Sequence, residues 1–286
     1  MLDGMFFDGF TLRHLDGMRV RVGGSGPPVV LLHGHPRTHT TWHRVAPLLA
    51  DAGFTVICPD LPGYGESRRT HDQSKRAMAA EVAGLLTALG HDAYAVVGHD
   101  RGVPLAHRLA VDHPVTSLAV MDGIPIVEHL ERCDERFAAS WWHWFFFAQT
   151  AKPAEDWIVR DPLAWYHADP EALGVENHAD WLRAVTNPDV VRGMVAEYRA
   201  GVHVDRFDEA ADRAAGRRAR CPTLCAWSVH DDLEELYGDP VEIWRAWVDG
   251  PVSGARIDSG HHMAEEAPEA LAAVLTEFLW TSASSS

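Results

Sequence analysis

Long apolar runs are missing from this sequence. No stretch approaches the ~20 consecutive apolar residues that a membrane-spanning helix needs, which argues against a transmembrane protein. A secretory leader is missing too. Met1 to Phe10 carries Asp3 and Asp8 and lacks the basic-then-apolar order of a signal peptide. A cytoplasmic protein is therefore expected. Cysteine is scarce, with four residues and no C-x-x-C pair, so no zinc site is expected. Cys58, Cys221 and Cys225 fall in apolar runs and Cys133 in a charged helical stretch; buried free thiols are the expectation for them. Basic charge is short: 25 Lys and Arg face 41 Asp and Glu, for a net charge of −16. Such a chain repels nucleic acid and anionic membranes, so neither is an expected partner. An anionic substrate would need a local basic group to overcome that field.

What is present fits an α/β protein. The 286 residues suffice for one large domain, or for a core with an inserted subdomain. Residues 10–23 alternate around Asp16-Gly17, which predicts an opening hairpin. Strands are predicted at Val29–Leu32, Thr55–Cys58, Ala93–Val97, Ser117–Met121, Thr223–Trp227 and Ala255–Ile257. Helical spacing marks Arg76–Leu89, stopped by Gly90, and about Arg101 to Asp112. Alternating strands and helices predict a mostly parallel sheet with helices on both faces. Residues 126–217 break the rhythm. They read as short amphipathic helices that hold six tryptophans, most of them expected in helix packing, and they predict a helical cap between two halves of a core, 1–125 and 218–280. The tail 281–286 is small and polar, and disorder is expected there.

Gly98-His99-Asp100-Arg101-Gly102 follows an apolar strand and precedes a helix. It is G-x-S-x-G with aspartate in the serine place. The glycines permit a turn tight enough to display the middle side chain above the sheet, and the helix behind it favours an anion. The plain alternative is a helix cap. A carboxylate there attacks a saturated carbon and forms an ester, which water then hydrolyses. The backbone N–H groups of His35 and Arg101 are the expected oxyanion donors. Ser259-Gly260-His261 follows the last strand and supplies the base, with His262 as rival. The acid that orients His261 is either Asp122, which ends one strand, or Asp231 or Asp232, which follow another; spacing does not choose.

These residues together resemble the fluoroacetate (haloacetate) dehalogenases of the α/β-hydrolase superfamily. The shared stretches are His33-Gly34-x-Pro36, Asp60-Leu61-Pro62-Gly63-Tyr64-Gly65, Gly98–Gly102, Leu118-Ala119-Val120-Met121-Asp122, His143-Trp144, Glu197-Tyr198-Arg199-Ala200-Gly201 and Ser259-Gly260-His261. The resemblance implies an α/β-hydrolase fold with a cap, no cofactor, and a carbon–halogen bond in a small haloacid as target. It implies Asp100 as nucleophile, His261 as base and Asp122 as its acid. It implies Arg101 as the grip on the substrate carboxylate, and His143, Trp144 and Tyr198 as donors to the departing halide. A small molecule and a halide ion are the implied ligands. Homodimers are common among such enzymes, although nothing in the sequence demonstrates one. One departure stands out: the family often has a second arginine where this chain has Pro104. Proline is tolerated in a helix's first turn, but the second clamp on a carboxylate is lost. Arg37 is a candidate substitute.

Three rivals remain on the sequence alone. An epoxide hydrolase uses the same nucleophile and base with cap tyrosines, and Tyr166 and Tyr198 are the tyrosines available. A metal-dependent hydrolase would draw on His33, His35, His39, His43 and His99, but no acidic ligand follows at metal-site spacing. A non-catalytic ligand binder on the same fold would bind tightly and turn over slowly or not at all.

Overall fold

The computed structural model describes residues 6–283. The chain opens with the expected hairpin, β1 (Thr11–Leu15) and β2 (Met18–Gly24). Its two turn residues, Asp16 and Gly17, both have positive φ (48° and 83°), which suits the right-handed twist of paired strands. Six more strands follow: β3 (Pro28–Leu32), β4 (Thr55–Pro59), β5 (Tyr94–His99), β6 (Val115–Met121), β7 (Thr223–Ser228) and β8 (Val252–Ile257). They form one sheet in the order β1-β2-β4-β3-β5-β6-β7-β8. The β1–β2 and β2–β4 pairs are antiparallel and the rest parallel. This is the mostly parallel sheet that the alternation of strands and helices predicts, in the α/β-hydrolase arrangement that the resemblance implies.

Apolar runs on the central strands bury side chains on both faces. Val30, Leu32, Val96, Leu118 and Val120 face one way, against α2 (Lys75–Ala88) and α3 (Gly102–Asp112). Val29, Leu31, Val97, Ala119 and Met121 face the other way, against α1 (Val45–Asp51) and α7 (Pro268–Ala283). Ser74 caps α2 by accepting the N–H of Ala77, and Gly90 ends it at φ 90°. The tail departs from expectation: α7 runs through Ala283, because Leu271, Leu275 and Leu279 give it a buried stripe. Residues 284–286 lie outside the described part.

Between β6 and β7 the described chain is helical from Ile126 to Ala214, with no strand of the sheet. Three of its helices matter below: α4 (His143–Phe147), α5 (Val175–Val185) and α6 (Pro188–Ala200). Helix α5 is tied to the core by buried polar bonds. Asp180 accepts from both terminal nitrogens of Arg19 (2.9 and 2.8 Å) and from the Thr38 hydroxyl (2.7 Å). Asn177 bonds Thr40 (2.8 Å) and Glu265 (3.2 Å). Among the described residues, no helix is long and apolar enough to cross a membrane. All four cysteines are free, and Cys133 is exposed rather than buried, because it sits between two short helices instead of inside one.

Candidate active site

Asp100 sits at the turn from β5 into α3 with φ +50°, a strained position for a non-glycine residue. The glycines allow this by close approach. A Cβ on Gly98 would lie 2.4 Å from the Gly102 carbonyl oxygen, and one on Gly34 would lie 2.4 Å from Asp100 Oδ2. The loop after β3 therefore packs directly on the carboxylate. The His35 N–H donates to Asp100 Oδ2 at 2.6 Å, and the Arg101 N–H also acts on this group. Burial raises the Asp100 pKa, while His261, Arg101 and these two N–H groups resist the rise. Both expected oxyanion donors thus point at the expected nucleophile.

A cavity of about 430 Å³ opens above Asp100, a size suited to a small molecule. His261 lines it opposite the nucleophile. The Glu266 carboxylate pins the base loop by accepting from the N–H groups of Gly260 (2.6 Å) and His262 (3.1 Å). His262 reaches the cavity too, but its Nδ1 is buried without a partner. His261 alone of the two has an acid.

That acid is not the expected one. His261 Nδ1 donates to Asp231 Oδ2 at 2.6 Å, whereas Asp122 Oδ2 is 3.8 Å from the same nitrogen. Asp122 is turned toward β7, where it accepts from the backbone N–H (2.8 Å) and the hydroxyl of Ser228. The assignment of Asp122 as the orienting acid is therefore corrected to Asp231, with Asp122 a nearby second charge. Burial works against the imidazolium of His261. The Asp231 bond and the charges of Asp100, Asp122 and Asp231 outweigh it and raise the pKa to about 9. Burial pushes Asp122 up to about 6.

His143 and Trp144 on α4 and Tyr198 on α6 all line the cavity. Their rings pack edge to face, with the Tyr198 centroid 5.6 Å from His143 and 5.8 Å from Trp144. Burial, helped by Arg101 and His261, lowers His143 to about 4, so it is a neutral N–H donor. Burial raises Tyr198 well above the usual phenol range, so it keeps its proton. The three residues expected to receive a halide line one cavity with their rings in contact.

Arg101 does not fill the place expected of it. Its guanidinium is buried behind Trp144 and Tyr198, 4.7 and 4.1 Å from their ring centres. Glu197 holds it through Nε (3.1 and 3.0 Å) and Nη2 (2.7 Å). It shares with Asp100 and Pro104 only a crevice of about 10 Å³, room for about one water. The expectation that Arg101 grips a substrate carboxylate is corrected accordingly. Arg37, the candidate substitute, is buried and paired with Glu265 at 3.0–3.2 Å.

Several lining residues escaped the sequence. Trp141, Trp142 and Trp165 face the cavity with Trp144, so four of the six cap tryptophans shape the site rather than only packing helices. Tyr166, which the sequence offered as a cap tyrosine for epoxide opening, lines it too, with a buried hydroxyl that has no partner among the described residues. Nothing local in the sequence marks Glu197 as Arg101's partner, beyond its place next to Tyr198. As for metals, His33 accepts from the Leu61 N–H and His39 pairs with Asp60, so these two of the histidines that suggested a site are engaged by protein groups, whereas His35 Nδ1 has no partner among the described residues. Among the described residues, His99, Asp122 and His261 have donor atoms within 4.8 Å of one another. His99 Nε2 is bonded to the His261 carbonyl and Asp122 to Ser228, so the group is already a hydrogen-bonded one.

Known proteins resemble this one across nearly the whole chain. Residues 27–162 match the alpha/beta hydrolase fold family model. The chain is 36% identical to a fluoroacetate dehalogenase from a Burkholderia species, over 96% of this chain and 95% of that protein. It is 30% identical to a soluble epoxide hydrolase from Corynebacterium sp. (strain C12), over 89% and 91%. A solved structure from Pseudomonas aeruginosa, provisionally classed as an epoxide hydrolase, superposes with a TM-score of 0.86 at 36% identity, covering 99% and 98%. The chain belongs to the α/β-hydrolase superfamily, in the family of the fluoroacetate and haloacetate dehalogenases.

Proposed function

We propose that this protein hydrolyses the carbon–halogen bond of a small haloacetyl compound through an ester on Asp100. The observation that carries this is the placement of Asp100 at φ +50°, with the His35 N–H at 2.6 Å and the His261–Asp231 pair on the same cavity. In the first step the Asp100 carboxylate attacks the carbon. The carbon–halogen bond breaks, and the halide leaves with the electron pair. The N–H and O–H donors of His143, Trp144 and Tyr198 stabilise the charge as it develops, when it matters most. In the second step water attacks the ester carbonyl and His261 takes its proton. The His35 and Arg101 N–H groups hold the oxyanion. Collapse breaks the bond from the carboxyl carbon to the substrate oxygen; His261 returns its proton to that oxygen, releasing the alcohol, and then takes the proton of the new Asp100 carboxylic acid, restoring the carboxylate.

Charge explains the timing. While Asp100 is an anion, it helps keep His261 protonated. Ester formation removes that charge, which lowers the imidazole pKa and frees a base when water must be activated. The test is halide release together with intact mass measurement of His261→Asn. We expect an adduct on Asp100 to accumulate; an unmodified protein after incubation with a reactive haloacetyl compound sinks the two-step scheme.

A second reading, epoxide opening, is favoured by the pair Tyr166 and Tyr198 on one cavity, the Tyr166 hydroxyl being unpartnered. Diol formation from styrene oxide without halide release from any haloacetyl compound would select it.

A further inference from the structure

We infer that Glu197 is a specificity-determining positioning residue: by holding Arg101, it sets the site for uncharged haloacetyl compounds, such as amides, over haloacid anions. This rests on the proposed ester mechanism and goes on to the charge of its substrate.

Among the described residues, no lysine or arginine lines the cavity above Asp100. The cationic side chain beside the nucleophile, Arg101, has Nε and Nη2 occupied by Glu197. Glu197 is fully buried, and it is fixed in turn by Lys75 and by the Tyr64 hydroxyl (3.2 Å). Lys75 also faces Asp205 at 3.4 Å. Two cations and two carboxylates thus balance, which leaves no surplus positive charge for a ligand. Helix α6 widens into a π-turn over Gly201–Asp205 where it passes this set, and a Cβ on Gly201 would lie 3.0 Å from Arg101 Nη2. The guanidinium therefore has little freedom to swing out. The second position from which a carboxylate might be held is Pro104, and Arg37 is bound to Glu265.

The cavity's own charges point the same way. Asp100 and Asp231 are carboxylates, and His261 is their cation. The sum is negative before any substrate enters, and an incoming carboxylate would meet that field without a counter-charge. A haloacetamide presents the same carbon and halogen with no charge to desolvate.

The experiment compares chloroacetamide with chloroacetate in the wild-type protein and in Glu197→Gln. Each kcat/KM is divided by the rate of the same compound with acetate in water, to remove intrinsic reactivity. The wild type is expected to favour the amide by about tenfold or more, the factor that about 1.4 kcal/mol of electrostatic preference gives. Glu197→Gln is expected to shift the ratio toward chloroacetate by a similar factor, through a lower KM for the acid rather than a changed kcat for the amide. A wild type that favours chloroacetate overturns the inference, and this arm holds even if the variant does not fold. A folded variant with an unchanged ratio overturns it as well. Chloride from neither compound removes the proposed dehalogenation, and this inference with it.

Discussion

The floor and the roof of the cavity are built on different principles. The floor is backbone: a strand end, a turn with φ +50° at Asp100, and a glycine loop whose N–H meets the carboxylate. The roof is side chain: aromatic rings and one histidine from short helices, held by mutual packing. In the proposed scheme the floor fixes which bond is made, and the roof decides what leaves and which molecule fits. A change in the floor should therefore abolish chemistry, while a change in the roof should retune it.

The sharpest way to break that contrast is Asp100→Asn. Loss of the nucleophile should cost at least about 10⁴-fold in kcat, as removal of a covalent catalyst does elsewhere; halide release near the wild-type rate would end the comparison. Next comes the choice of acid. Asp231→Asn should lower kcat on the order of 10²-fold, less than the ~10⁴-fold seen when a lone triad acid is lost, because Asp122 lies 3.8 Å from the same nitrogen. Asp122→Asn should cost less than about tenfold in kcat, since its partner is Ser228. A larger loss from Asp122→Asn than from Asp231→Asn would reverse the assignment. On the roof, Tyr198→Phe should cut kcat for a chloro compound by about tenfold, less than the ~10²-fold or more of a lost oxyanion donor, because His143 and Trp144 remain. It should cost less for a bromo compound, whose better leaving group needs less help. Equal losses for both halogens would mean that Tyr198 does not meet the halide. The smallest effect is spectroscopic. The His261 pKa of about 9 should fall by about one unit in Asp100→Asn, read by NMR of the ring nitrogens, because one stabilising anion is gone. An unmoved pKa would mean that alkylation of Asp100 cannot free the base.

The floor was legible because its signals are local. An apolar strand, two glycines four apart and a following helix specify the elbow within ten residues, and Ser-Gly-His after the last strand marks the base. The helical segment between β6 and β7 was legible from its broken rhythm. What escaped depends on where long side chains turn. Asp122 and Asp231 both follow strands and both lie near His261; Ser228 draws one of them away, and no spacing reveals that. Arg101 follows the nucleophile directly, yet its partner Glu197 is 96 residues distant, on a helix whose placement only packing decides. The tryptophans show the same limit: apolar periodicity says that a ring is covered, not whether a helix or a substrate covers it.

The tie between α5 and the core has a consequence for how molecules come and go. Asp180 and Asn177 meet Arg19, Thr38, Thr40 and Glu265 in a dry seam, and parting a buried ion pair strands charge at a cost of about 3–5 kcal/mol. That edge behaves as a rivet. Traffic is therefore expected past the exposed lining residues of the other roof segments, Ser140 and Trp142, where half of the Trp142 surface is already wet (50% exposed).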